Sequence, residues 1–321
     1  MEIFDPHSNI NFLRWRTISV TISAILIVAS IFFIMVRGLN YGLDFTGGVL
    51  IEASYQKPVD TGEVRDALAA GGFENAVVQS LGGTRDISIR LQPKADPGAV
   101  QKNGQIKVDK VAADVMAALK AKRADVSLKQ PPDFIGPQVG AELRNSGIIA
   151  VIVVIVGIMI YLGLRFEKRF AVAALASEVH DTLITVGIIA AVQREFDMTV
   201  LASVLAVVGY SINDKVVVFD RVRELFRGAR KAEPIDILNR AINSTLSRTI
   251  ITSLFTGITM AALYLFGGSA VHGFAITMLI GILVGTLSSI FFANPILLWL
   301  GVSKKDLMPV TKENPELARR P

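Results

Sequence analysis

Six long apolar runs constrain the fold of this 321-residue chain more than any other feature. A helix needs roughly 20 apolar residues to cross the hydrocarbon core of a bilayer. Runs of that length predict six membrane-spanning helices, at residues 17–36, 146–164, 170–192, 198–220, 248–267 and 273–300. Only 19% of the residues are charged, against about 25% in a typical soluble domain. We therefore expect an α-helical polytopic membrane protein rather than a soluble globular enzyme.

The sixth run is too long for one straight span. Proline has no N–H to donate and disrupts the interior of a helix. Asn294-Pro295 is therefore predicted to break this run and to leave a short segment at the membrane interface.

The positive charges of the short connections predict how the spans are oriented. Cytoplasmic loops carry an excess of Lys and Arg. These residues concentrate in segments that fall on one side of the predicted bundle, at 1–16, 165–169, 221–247 and 301–321. The short loops of the other side carry only Arg194. Both termini are therefore expected to be cytoplasmic, with residues 37–145 on the far side.

Residues 37–145 interrupt the apolar pattern and predict one small domain outside the membrane. Strands are predicted at 49–55, 76–81, 86–91 and 126–128, and helices at 61–70 and 106–122. The order βαββαβ is typical of a ferredoxin-like α+β sandwich. Acidic and basic residues nearly balance in this segment, which argues against nucleic-acid binding.

Ionisable residues inside the spans mark the candidate functional site, because a charge at membrane depth costs at least a few kcal/mol. Asp214 lies about 22 Å along the fourth span, in the inner half of the membrane. Arg248 opens the fifth span at a similar depth, and it can pair with a carboxylate in one state and release it in another. Small or polar residues that could support this site by close packing and hydrogen bonding are Gly209, Ser211, Asn213 and Ser247.

Each of these two residues also has a simpler interpretation. Asp214 could cap a packed polar interface or pair permanently with a cation. Arg248 could be an ordinary interfacial arginine whose side chain extends towards water.

The third span adds two carboxylates to the proposed proton pathway. Glu178 and Asp181 are three residues apart and therefore share a helix face, which could line the same hydrated path as Asp214. Neighbouring carboxylates can take up and release protons. His180 is predicted to point away from Asp181, and Lys215 to face away from Asp214 and extend towards the cytoplasm.

Catalysis is not expected from this sequence. The absence of cysteine excludes disulfides, thiolate metal sites and a cysteine nucleophile. Three histidines argue against a histidine metal site. The sequence contains no recognisable nucleophile–base pair or phosphate-binding loop. We therefore expect no enzymatic activity, no cofactor and no metal.

Several motifs resemble the SecD/SecF family of protein-export membrane proteins, in order and over nearly the whole chain. They are YGLDFTGG at 41–48, GPQVGAEL at 136–143, VGYSIND at 208–214, VVVFDRVRE at 216–224 and NSTLSRT at 243–249. The first of them contains the family signature residues Gly42, Asp44, Gly47 and Gly48.

The resemblance implies a bacterial inner-membrane protein with the fold of the resistance-nodulation-division (RND) transporters and a periplasmic domain. It implies pairing with a six-span SecD half into a pseudo-symmetric complex of twelve helices, beside the SecYEG channel and together with YajC. This pair is expected to use protons and the proton gradient to draw preproteins outward. Asp214 and Arg248 match the family's intramembrane aspartate and arginine.

Two other functions fit the same architecture. One is half of an RND exporter of small molecules or lipids, although a single small outer domain leaves little room for a substrate pocket. The other is a scaffold that stabilises a membrane complex without transporting anything. Such a scaffold would tolerate Asp214→Asn without losing its dependence on protons.

Overall fold

A computed structural model describes residues 10–81, 83–91, 108–228 and 232–303 of the chain. Its helices are α1 (Arg16–Arg37), α2 (Leu43–Thr46), α3 (Thr61–Ala70), α4 (Val108–Lys122), α5 (Pro137–Arg165), α6 (Lys168–Ala191), α7 (Met198–Gly228), α8 (Pro234–Phe266), α9 (Ser269–Ser288) and α10 (Asn294–Trp299). Its strands are β1 (Asn40–Tyr41), β2 (Gly48–Tyr55), β3 (Val77–Ser80), β4 (Asp86–Leu91), β5 (Val126–Leu128), β6 (Asp133–Ile135) and β7 (Glu195–Phe196).

Some of the predicted segments lie wholly or partly outside these described residues. They are residues 1–9 of the N-terminal tail, residue 82 of the predicted turn, residues 106–107 of the second domain helix, residues 229–231 of the loop and residues 304–321 of the C-terminal tail.

Six helical stretches of the described chain are long and apolar enough to cross a membrane, which confirms the predicted fold class. They are α1, α5, α6, α7, α8 and the segment Ala270–Trp299. Helices α6 and α7 bury much of their surface inside the protein, whereas α1, α5 and α8 expose broad apolar faces. Such faces suit a chain whose outer surface meets lipid or another membrane subunit.

The helices extend further than the apolar runs alone suggested. Most of 221–247, predicted as a loop, is helical, because α7 continues to Gly228 and α8 begins at Pro234. These extensions are amphipathic, and Phe226 of α7 and Leu238 of α8 belong to one buried apolar cluster. The length of an apolar run corresponds to the thickness of the membrane core, whereas the helix itself can extend beyond the membrane.

The predicted break at Asn294-Pro295 is wrong. Helix α9 continues through a π-helical turn, Ser289–Ala293, directly into α10, and Pro295 lies in the first turn of α10. Since Pro295 has no N–H, it cannot donate to the carbonyl of Phe291, four residues earlier. The Ser19 hydroxyl of α1 donates to that carbonyl instead, at 2.8 Å. The helix therefore continues without a break.

A small α+β domain lies between α1 and α5. Its sheet has the order β3-β4-β2-β5 with antiparallel neighbours, which is the strand arrangement of a ferredoxin-like sandwich. Helices α3 and α4 contribute Leu68 and Val115 to a core that also includes Ile51 and Ile89 of the sheet. A further strand, β6, was not predicted from the sequence; it pairs with β2 at Gly48–Leu50, beyond the end of β5.

Glycines allow the membrane helices to approach closely at two crossings. A Cβ on Gly281 of α9 would collide with the side chain of Val207 on α7. A Cβ on Gly187 of α6 would collide with Ser30 on α1. These contacts set the distances between the helices that hold the charged residues.

Candidate functional site

A fully buried lysine forms the centre of the charged site. Lys215 of α7 has an exposed fraction of 0%, and its Nζ donates to Glu178 Oε1 at 2.6 Å and to Asp181 Oδ2 at 2.7 Å. Nζ also lies 2.7 Å from the hydroxyl of Ser211, one helical turn earlier. The prediction that Lys215 extends towards the cytoplasm is therefore wrong. A buried ammonium needs charged partners, and α6 supplies two carboxylates.

Asp181 connects this lysine to α9 and to the neighbouring His180 of α6. Its Oδ2 accepts a hydrogen bond from Ser288 of α9 at 2.7 Å, and its Oδ1 lies 2.7 Å from Nδ1 of His180. The prediction that His180 points away from Asp181 is wrong, because the imidazole turns back towards the next residue of its own helix. Its ring stacks on Phe292 with the centroids 4.1 Å apart.

This closed network consists of Glu178, His180, Asp181, Ser211, Lys215 and Ser288, and at its edge the buried hydroxyl of Ser177 lies 3.2 Å from that of Ser288. With both carboxylates ionised, Lys215 protonated and His180 neutral, its formal charge is −1. Glu178 Oε2 and His180 Nε2 have no hydrogen-bond partner within the described residues. The other polar atoms around Lys215 are bonded to one another, so the network ties α6, α7 and α9 together.

Asp214 lies outside the closed network. Its side chain is buried, and its Oδ2 has no hydrogen-bond partner among the described residues. Arg248 of α8 is exposed and lies within electrostatic range of Asp214. No ion pair of 4.0 Å or less joins the two side chains in the part of the chain that the structure describes.

The predicted supporting residues fall on different sides of α7. Ser211 belongs to the closed network, whereas Gly209 and Asn213 are exposed and one turn apart. Ser247, which precedes Arg248 on α8, is half-buried. Asp214 therefore lies between the closed network and an open face of the protein, which we define as Gly209 and Asn213 of α7 with Arg248 of α8.

The signature residues join the α+β domain to the start of α7. The Asp44 carboxylate accepts a hydrogen bond from the N–H of Met198 at 2.8 Å, and so satisfies one of the free donors at this helix end. The Gly42 N–H donates to Phe196 O at 2.8 Å, and a Cβ on Gly42 would lie 2.9 Å from Asp197 Cβ. The sequence identified this motif but suggested no role for it.

Gly47 and Gly48 need to be glycines for their backbone conformation. Both have positive φ angles, +68° and +129°, which residues with a Cβ rarely adopt. A Cβ on Gly48 would also collide with the carbonyl oxygen of Leu91 in β4. The chain can therefore turn sharply from α2 into the central strand of the sheet.

Arg90 adds further contacts between the α+β domain and the chain just before α7, and its role was not predicted from the sequence. This buried residue of β4 donates to Tyr41 O at 2.6 Å and to Asn40 Oδ1 at 3.0 Å, and it pairs with Glu195 at 3.4 Å. Burial raises the pKa of the Glu195 carboxyl, while the Arg90 guanidinium opposes that rise. The signal in the sequence was an arginine between the apolar residues Ile89 and Leu91.

We call this set of contacts the junction, defined by Asn40, Tyr41, Gly42, Asp44, Arg90, Glu195, Phe196 and Met198. Strands β1 and β7 pair in parallel within it. It fixes the α+β domain to the connection between α6 and α7.

No group of three or more His, Asp or Glu side chains in the described ranges is arranged to hold a metal ion.

These features define the class of the protein: a six-helix, multi-pass membrane protein with a charged network in its helix bundle. The family model "Protein export membrane protein SecD/SecF, C-terminal" matches residues 114–303, and "SecD/SecF GG Motif" matches residues 32–59. The chain therefore belongs to the SecD/SecF family of protein-export membrane proteins, in which its full-length relatives are SecF subunits of protein translocase.

Two of these relatives match over most of their length. The Protein translocase subunit SecF of Vibrio alginolyticus is 42% identical, over 100% of this chain and 99% of the relative. The subunit from Pseudomonas aeruginosa is 44% identical, over 94% of each chain.

Solved structures agree with this assignment. SecDF from Thermus thermophilus, described as a translocon-associated membrane protein, superposes with a TM-score of 0.78 at 30% identity and covers 92% of this chain. SecDF in its super-membrane-facing form gives 0.65 at 31% identity and covers 93%. This chain spans 39% of the length of each SecDF chain.

Proposed function

We propose that this protein is the SecF half of a proton-driven subunit of the bacterial Sec export machinery. It acts with a SecD half beside the SecYEG channel and YajC, and completes the outward movement of preproteins across the inner membrane. One observation carries the proposal: Asp214 is a buried carboxylate that forms no ion pair of 4.0 Å or less within the described residues, and it lies next to an open face that carries Arg248.

Asp214 is the group that exchanges the proton. When it is ionised, its charge attracts Arg248, and when it is protonated, that attraction is lost. Arg248 stays protonated throughout. The distance between α7 and α8 therefore depends on the protonation of one carboxylate.

Glu178 and Asp181 have a different role in this proposal from the one expected from the sequence. Both are hydrogen-bonded to Lys215, whose positive charge compensates one of their two negative charges. They hold α6 and α7 together as a fixed unit. The moving part is then α8 relative to that unit.

The junction transmits the movement to the α+β domain. Asp214 lies about 24 Å along α7 from Met198, whose N–H is bonded to Asp44. A continuous helix connects the two positions. When the unit of α6 and α7 moves relative to α8, the sheet therefore moves with that unit through Asp44 and Arg90.

The open face and the exposed apolar faces are the proposed contacts with the SecD half. The complex would contain twelve helices. The distribution of Lys and Arg supports cytoplasmic termini and a periplasmic α+β domain.

The free energy that one proton supplies by crossing the membrane is of the right order for this movement, but it does not suffice alone. A potential of 100 mV supplies about 2.3 kcal/mol per charge. Moving an equilibrium from 1:99 to 99:1 needs about 5.5 kcal/mol. Several protons, or binding energy from the preprotein, must supply the difference.

Preprotein translocation into inverted membrane vesicles tests this function. The vesicles contain the chain and its SecD half at matched levels and fixed ATP, with and without a proton gradient. Asp214→Asn should abolish the increase in translocation that the gradient produces, while complex assembly stays intact. Asp220→Asn, two turns further along α7, is the matched control and should keep that increase. An unchanged increase in Asp214→Asn would favour the scaffold.

A further inference from the structure

An apolar groove lies between α1 and α9 on the surface of the helix bundle, with a volume of about 510 Å³. One wall consists of Trp15, directly before α1, and of a single face of α1 that includes Ile18 and Ile22. The other wall is the end of α9 and the π-helical turn, which includes Leu287. The four residues named here are exposed.

The π-helical turn explains why the groove exists. Ser19 holds α1 against the carbonyl of Phe291, and Phe12 packs edge-on against the ring of Phe291 at 5.9 Å. Beyond this contact the two helices leave the space open. The groove is therefore part of the helix packing rather than a chance arrangement of surface side chains.

The length of the groove matches the hydrocarbon of one leaflet. Its wall on α1 runs from Trp15 to Leu26, about 16 Å at about 1.5 Å per residue. The hydrocarbon core of a bilayer is about 30 Å thick, so one leaflet accounts for about half of it. An acyl chain aligned with the helices fits this length.

Two arginines are the sequence neighbours of Trp15 at one end of the groove, outside its lining. Arg14 and Arg16 flank Trp15, and neither forms an ion pair with a carboxylate within the described residues. The Arg16 guanidinium donates to the carbonyl of Leu13 at 3.3 Å. Exposed Trp15 belongs to a residue type that is enriched at the membrane interface. Two arginines at that level attract anionic headgroups.

We propose that the groove binds one anionic glycerophospholipid, with an acyl chain between α1 and α9 and its phosphate against Arg14 and Arg16. This site does not depend on the proton-coupled function proposed above. The acyl chain of such a lipid matches the apolar groove, and its phosphate matches the two arginines.

The bound chain would also seal the closed network from the side of the bilayer. His180 and Ser288 form part of the groove lining, and both are bonded to Asp181. The His180 ring is 4% exposed. Hydrocarbon in the groove keeps water away from these groups, and ion pairs are stronger where water is excluded.

Quenching of Trp15 fluorescence by brominated lipids tests the proposal. The full chain carries Trp299→Phe, so that Trp15 is the only tryptophan, and is reconstituted in phosphatidylcholine nanodiscs with and without its SecD half. A small fraction of brominated phosphatidylglycerol should quench Trp15 at concentrations on the order of tenfold lower than brominated phosphatidylcholine. Equal quenching by the two lipids would overturn the anionic site.

Two pairs of variants separate the parts of the site. Val284→Phe fills the groove and should remove the preferential quenching, whereas Leu283→Phe, on an exposed part of α9 outside the lining, should leave it unchanged. Arg14→Gln with Arg16→Gln should abolish the preference for phosphatidylglycerol, whereas exposed Lys168→Gln should not. Quenching unaffected by Val284→Phe, or protection of Trp15 from both lipids by the SecD half, would overturn the proposal.

Discussion

Two neighbouring residues of α7, Asp214 and Lys215, meet different surroundings because a helix turns by about 100° per residue. Lys215 faces α6 and α9 and is surrounded by hydrogen-bond partners, whereas Asp214 keeps a free oxygen. The depth of both residues could be predicted from the sequence by counting along the span. The side that each residue faces could not be predicted from the sequence, because it depends on which helices pack against α7.

Lys215→Met tests the closed network. It leaves Glu178 and Asp181 buried without their cation, so it should destabilise the protein by about 3–5 kcal/mol. Adding Glu178→Gln and Asp181→Asn should restore most of this loss, because the uncompensated charges are then gone. Thermal unfolding in detergent measures both effects. Exposed Lys168→Met serves as the control, and equal melting temperatures for the two single variants would rule out the network.

At the scale of elements, the six spans and the βαββαβ order could be predicted because they depend on local periodicity and length. The ends of α7 and α8 could not, because their extensions are amphipathic and packed against each other. The π-helical turn before Pro295 could not be predicted either, and the hydroxyl that bonds to it comes from α1, which is distant in sequence. The pairing of β1 with β7 likewise joins residues about 155 positions apart, as in Asn40 and Glu195.

Asp44→Ala tests whether the signature holds the start of α7. Loss of this cap should cost about 1 kcal/mol and should speed hydrogen exchange at the Met198 amide. Asp44→Asn is the matched variant, because its side-chain oxygen can still accept the bond. If exchange at Met198 is the same in all three proteins, Asp44 does not cap the helix.

Gly281→Ala tests the close crossing of α7 and α9. The added methyl group meets the side chain of Val207, and overpacking of this kind costs about 1–3 kcal/mol. Gly157→Ala is the control, since nothing lies near its Cβ position and alanine favours the helix by up to about 1 kcal/mol. The melting temperatures of the two variants should therefore shift in opposite directions. A stable Gly281→Ala protein would contradict the packing.

At the scale of the whole molecule, the proposed function depends on two connected regions: Asp214 at membrane depth and the junction at the domain end of α7. The motifs that resemble the SecD/SecF family lie in both regions, so the sequence already pointed to them. Only the structure places Asp44 against Met198 and Arg90 against Glu195, and so gives the signature a physical role. The open face beside Asp214 leaves the site exposed to a second subunit.

In the proposed mechanism, Asp214 exchanges the proton while the network around Lys215 keeps its charges. Infrared difference spectra of the chain with its SecD half in lipid, recorded as the pH is lowered, detect protonation of a carboxylate directly. We predict a protonated-carboxyl band that is lost in Asp214→Asn and retained in Glu178→Gln. A band that survives in Asp214→Asn and disappears in Glu178→Gln would contradict the account, because the proton would then bind within the network.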